Sequence, residues 1–260
     1  MKFYLKILLL IILIPLTFSN LLSETKTSLT SGSWNNPAIW SPAGVPITDD
    51  DVIIKSGTII TIDSNTDILK SIIIESGAIL QGDGNGWFLN IGNGIGNDFT
   101  NEGILSATGT NYLIVRLNSN SEWAGSGSFN CTNIDLNGNI LSFSSGGNVT
   151  INLSGSPDPF LNPGSVIAGI FTTFNYNGTS EQFISGDAIS IFNSLTINNP
   201  TGVTIGANTT INGTLNLNTG FITTNSYAII ISSTGSVTRL NGYINGNLQI
   251  YRFGSKGSKF

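Results

Sequence analysis

The sequence predicts an all-β fold, one β-solenoid domain behind an N-terminal leader, and three observations carry that prediction. Apolar and polar residues alternate with period 2 over short runs, as in SLTINNPTGVTIGANTTINGTLNLNTG at residues 194–220. Gly, Asn, Asp or Ser-Gly signals break these runs every few residues. A Gly that opens a strand recurs at an interval near 20. Gly57-Thr58-Ile59 and Gly77-Ala78-Ile79 lie 20 residues apart, Gly77 and Gly103 lie 26 apart, and Gly213 and Gly235 lie 22 apart. Such recurrence marks a solenoid, whose turns cannot bury their apolar faces alone and must stack. The competing architecture is an antiparallel β-sandwich, which accounts for short strands and turns but not for the recurrence.

The elements follow in order. Residues 1–19, MKFYLKILLLIILIPLTFS, read as a secretory signal peptide. Lys2 and Lys6 form the positive region, and Ile7 to Leu16 is an apolar run too short for the about 20 residues of a bilayer span. Cleavage is expected after Ser19, or as late as Ser23. Residues 20–51 form a cap segment and 52–250 the solenoid. Strands are expected at 52–54, 59–62, 71–74, 79–80, 112–117, 134–136, 140–143 and 149–153. The second half adds 194–197, 203–205, 209–211, 214–217, 221–223, 228–231 and 235–238. Residues 251–260 read as a truncated continuation. Coils of about 22 residues, stacked about 4.8 Å apart, give a rod of roughly 45 to 50 Å.

Composition narrows the function. Charged residues make up 10% of the 260, apolar residues 40%, and 31 are Gly and 32 Asn. Abundant Ile, Val and Thr at period 2 separate this chain from disordered polar chains. Asn tolerates the left-handed conformation of turns, and turn amides can bond between stacked coils. The net charge is −5, and removing Lys2 and Lys6 leaves eight cations against fifteen acids, or −7. That argues against nucleic acid and against membrane attraction or insertion after cleavage. With no His and a single cysteine, Cys131, zinc sites and intrachain disulfides are excluded and the commonest general base is missing.

Residues 32–63, GSWNNPAIWSPAGVPITDDDVIIKSGTIITID, resemble the N-terminal unit of secreted Bacteroidetes-type surface proteins. Trp34, Trp40, Val45, Pro46, Asp50, Asp51, Val52, Ile54, Gly57 and Asp63 sit on that pattern. The stretch is also similar to the extracellular G8 module. FNYNGTSEQFISG at 174–186 and FNSLTINNPTGVTI at 192–205 resemble the repeat that follows in such proteins. The resemblance implies a right-handed parallel β-helix on an exported polypeptide with a C-terminal sorting domain. No such domain is recognisable here, so a fragment is expected.

The candidate sites are few. Trp34 and Trp40 are expected to cap the first coil, where bulky apolar surface would cover open strand edges. Asp49, Asp50 and Asp51 are candidate calcium ligands, as are Asp83 and Asp98 in the Gly-rich stretches 82–86 and 92–98. No other cofactor is expected. Trp87 and Trp123 are candidates for stacking on sugar rings. Asp63 and Asp67 are the carboxylates to consider for glycoside hydrolysis, with Arg116 for an acidic sugar, yet Asp63 fits a strand-end turn and cations are scattered. The expected function is therefore a non-catalytic, exported structural or adhesive β-solenoid segment at the cell surface or outside the cell. Its expected partners are extracellular polysaccharides or surface glycans. The alternatives are a carbohydrate-binding module or polysaccharide-degrading β-helix enzyme, and a calcium-dependent adhesin.

Overall fold

The computed structural model describes residues 23–92, 97–143 and 148–252. The expected signal peptide, most of stretch 92–98 and all but the first two residues of the expected continuation at 251–260 lie outside them. The chain forms a parallel β-solenoid of about 10 turns with almost no helix. At about 4.8 Å per turn its axis spans roughly 48 Å.

Three sheets run along the rod. The first stacks Thr25–Ser28, Asp51–Ile54, Ser71–Ile74, Asn97–Asn101, Ser121–Ala124, Ile140–Phe143 and Ser165–Ile167 in chain order. The second runs from Gly32–Ser33 to the long strands Ser194–Ile205 and Thr214–Ile231 and to the last strand, Tyr243–Ile250. The third is shorter: Trp87–Ile91, Leu113–Leu117, Asn133–Asp135 and Phe160–Leu161. Among the described strands the pairing is parallel throughout, except where Trp40–Ser41 returns antiparallel against Thr27 and Ser28.

The period-2 alternation places one file of side chains inside. In the second sheet Ile60, Leu80, Leu105, Phe129, Ile151, Phe174, Leu195 and Leu215 lie directly above one another. All eight are fully buried. Each such side chain contributes about 1.5–3 kcal/mol by leaving water, and none could do so in an isolated coil. The file ends at Val237, which is partly exposed, as are Leu240, Tyr243, Leu248 and Ile250 on the last coil.

The amide ladders follow the same stacking. On the outer face of the second sheet, Asn152 Nδ2 donates to Asn130 Oδ1 at 2.8 Å and Asn175 Nδ2 to Asn152 Oδ1 at 2.7 Å. Turn amides also bridge coils: Asn137 and Asn139 both donate to the Leu117 carbonyl, each at 3.2 Å. The bonding is thus not confined to the corners, since the strand face carries a run of three asparagines. Asn137 and Asn162 adopt positive φ, as turn residues of that type do. Gly125, at φ 102°, is held by a closer constraint, since a Cβ there would overlap the Asn101 carbonyl.

Several boundaries differ from expectation, and the separate runs at 214–217, 221–223 and 228–231 form the single strand Thr214–Ile231. The segment read as a cap already supplies a strand, Thr25–Ser28, to the first coil. The separate runs at 194–197 and 203–205 belong to one strand that bends between coil sides. Cys131 is fully buried in the stack, and burial pushes its thiol up to about 12. A maleimide should therefore leave the native protein unlabelled at pH 8 and label it fully in denaturant. Rapid native labelling would contradict this packing.

Candidate functional site

Most residues singled out from sequence have structural partners. Asp50 is fully buried, and its carboxylate accepts the Glu24 N–H at 2.7 Å and the Ile47 N–H at 2.9 Å. Asp51 pairs with Lys70 at 2.9 Å and accepts the Ser71 hydroxyl at 2.6 Å. Asp49 is exposed, with positive φ, in the turn just before them. Asp83 accepts the Asn85 N–H at 3.0 Å, its amide at 2.9 Å and the Trp87 indole N–H at 3.2 Å. The Asn85 backbone bond, ahead of the others, holds its carboxyl below the usual range. The five aspartates do not converge: among the described residues no group of three or more His, Cys, Asp or Glu could hold a metal.

Asp63 accepts the Ser33 hydroxyl and the Asn35 amide, tying the entering chain to the first complete coil. Asp67 is exposed. Arg116 donates to the buried Asp135 at 2.7 Å and lies over the Phe88 ring at 3.6 Å.

Trp34 and Trp40 are both buried, edge to face at 5.0 Å, with the Trp40 indole N–H donating to the Trp34 carbonyl at 2.9 Å. They lie beside the antiparallel return of Trp40–Ser41, a placement that suits a cap. Trp87 is half-buried against the core. Trp123 requires a correction. It is fully buried in the lumen, stacked on Phe129 at 5.2 Å, so no sugar can reach its face. Its polar, Gly-rich flanks are turns around an inward position.

Asp98 is also buried inside. One oxygen accepts the Glu122 N–H at 3.3 Å, and Oδ1 has no partner among the described residues. Burial raises its pKa above the usual 3.8. Folding thus favours the protonated form. The penalty is absent below pH 3.8, grows as pH rises toward the raised value, and is full above it. Asp98→Asn should raise the melting temperature at pH 7 and change it much less at pH 3.5. Equal effects at both pH values would refute this.

Three hollows lie elsewhere, at a seam in the wall, and another, of about 400 Å³, lies beside Ile231, Val237 and Ile250. The third sheet stops at Phe160–Leu161, and no β-ladder joins residues 157–168 to residues 181–191 of the next coil. The Phe183 N–H donates to the Pro157 carbonyl, and the Val166 N–H to the Ala188 carbonyl at 2.8 Å. Between these bonds opens a hollow of about 430 Å³ lined by Asp158, Phe160, Asn162, Ser185 and Asp187. A second, of about 330 Å³, shares Asp187 and Ala188 with it and continues along Ile167 and Ile191. A third, of about 260 Å³, lies beside Pro157 and Phe183.

Local inversion shapes this seam. In the strand Gln182–Ile184 the amide of Gln182 is fully buried while Phe183 takes the outer position, where it is half-buried. Gln182 accepts the Gly178 N–H at 2.9 Å and donates to the carbonyls of Leu153 and Gly155 at 3.1 and 2.8 Å. Asn199 adds a fourth bond at 3.0 Å. Burial pushes the Asp158 carboxyl up, against hydrogen bonds from Phe160 and Ser185, and the Asp187 charge adds to the rise. Behind it the fully buried Tyr176 hydroxyl has no hydrogen-bond partner among the described residues, and burial, then Asp158, raises its pKa. Sequence reasoning missed Asp158, Phe183 and Asp187. The run Glu181-Gln182-Phe183-Ile184 does not say which side of the strand is inside.

No family model matches the chain, and no curated protein or solved structure is detectably similar to it.

Proposed function

We propose that this chain is a non-catalytic structural and adhesive segment of an exported surface protein, a rod that holds other parts away from the cell. The observation that carries this reading is the unbroken file of buried side chains from Ile60 to Leu215, with the singled-out carboxylates Asp50, Asp51 and Asp63 bonded to neighbouring chain. A stack of this kind resists bending because each coil is bonded to the next along its length. The leader at 1–19 and the likeness of residues 32–63 to secreted surface proteins support export. No calcium dependence is proposed, and the melting temperature should not move when a chelator is added. A chelator-induced drop would favour the calcium-dependent adhesin instead.

Expression of the whole chain with its leader in a bacterium, followed by mass measurement, tests the reading. Processed protein outside the cytoplasm is expected, together with no release of reducing ends from polysaccharides. Unprocessed cytoplasmic protein, or turnover of a glycan, would overturn it.

A further inference from the structure

We propose that the seam between residues 157–168 and 181–191 binds a single chain of an uncharged polysaccharide. In this arrangement the Phe183 ring stacks on one sugar, and Asp158 and Asp187 accept hydrogen bonds from hydroxyls of the next. The inference gives the adhesive part of the rod reading its partner and rests on that part.

Four observations carry it. The three hollows follow one another across the wall, and their volumes of 430, 330 and 260 Å³ lie at or near the lower end of what small-ligand sites use. Their linings pair apolar faces, Phe160, Phe183 and Ile191, with hydrogen-bonding groups, Asp158, Ser185 and Asp187, which suits a ligand whose rings have apolar faces and hydroxyl edges. No Lys or Arg lines any of the three, while Asp158, Glu181 and Asp187 do, so uronate, sulfated or phosphorylated chains are repelled. Finally, the inversion at Gln182 and Phe183 breaks the inside-outside rule that the rest of the stack obeys, and such local violations concentrate at functional sites. The four bonds to Gln182 hold the outward ring in place beforehand, which lowers the entropy cost of binding.

Other occupants fit less well. A peptide adding as a strand needs a row of edge groups, and the open edge of the third sheet is two residues long. A calcium ion needs six or more oxygens, and two carboxylates line the hollow.

Affinity electrophoresis of the purified chain tests the proposal, with gels containing β-glucan, galactomannan, xylan or polygalacturonate. Retardation is expected in at least one neutral gel and not in polygalacturonate. Phe183→Ala, at a half-buried outer position, and Asp187→Ala, at an exposed one, should each weaken it by about tenfold, the equivalent of about 1.4 kcal/mol. Trp87→Ala, outside the seam, should leave it unchanged. The proposal is overturned if no neutral gel retards the protein, if polygalacturonate alone does, or if Phe183→Ala and Asp187→Ala both bind like the parent. A processed, exported protein that is never retarded would defeat the groove and keep the rod. A retarded protein that is never exported would do the reverse.

Discussion

Trp123→Ala is expected to destabilise the protein by about 3–5 kcal/mol, the usual cost of emptying an aromatic core position. For a domain of this size that corresponds to a melting temperature lower by very roughly 10 °C. The indole is stacked on Phe129 at 5.2 Å with 12° between planes, and it meets the edges of Phe99 at 5.2 Å and Phe143 at 6.4 Å. These four rings come from the first and second sheets of successive coils. Removing one leaves a cavity that the hydrogen-bonded backbone cannot close, because each strand is pinned above and below. Trp123→Phe should lose less, since a ring remains to fill most of the space. Urea and thermal melts followed by circular dichroism distinguish this from a surface indole, whose loss would shift stability by less than about 0.5 kcal/mol.

Gln182→Leu should cost about 2–5 kcal/mol for a different reason. Leucine matches the volume but offers no hydrogen bonds. The Gly178 N–H and the Gly155 carbonyl would lose their partner, the Leu153 carbonyl would keep only the Asn177 N–H at 2.9 Å, and Asn199 Nδ2 would keep only the Ser180 carbonyl at 2.7 Å. Each orphaned buried group costs about 1–3 kcal/mol. Gln182→Glu should also destabilise at pH 7, because a carboxylate would face two carbonyl oxygens. A melt of Gln182→Leu indistinguishable from the parent would show that water reaches these groups, and the inward placement of Gln182 would then be wrong.

The strands most readable from sequence were those rich in β-branched residues and bounded by turn residues, such as Ile59–Ile62, Ser71–Ile74, Val149–Leu153 and Thr209–Ile211. Strands such as Trp87–Ile91 and Ser128–Cys131 contain one β-branched residue and none, so they do not stand out, and the stack imposes them. The seam was invisible in sequence, since a groove made by the absence of a ladder has no residue pattern of its own.

What this sequence by itself determined is the coil: period-2 alternation, turn residues at short intervals, and a recurrence near 20 residues together require neighbours to stack. Which ring is inside was left to the tertiary structure. Trp123 and Phe183 are both aromatic residues in polar company, yet one fills the lumen and the other sits half-buried on the outer side. The register of each coil against the next decides this, because a shift of one residue turns every side chain to the opposite face.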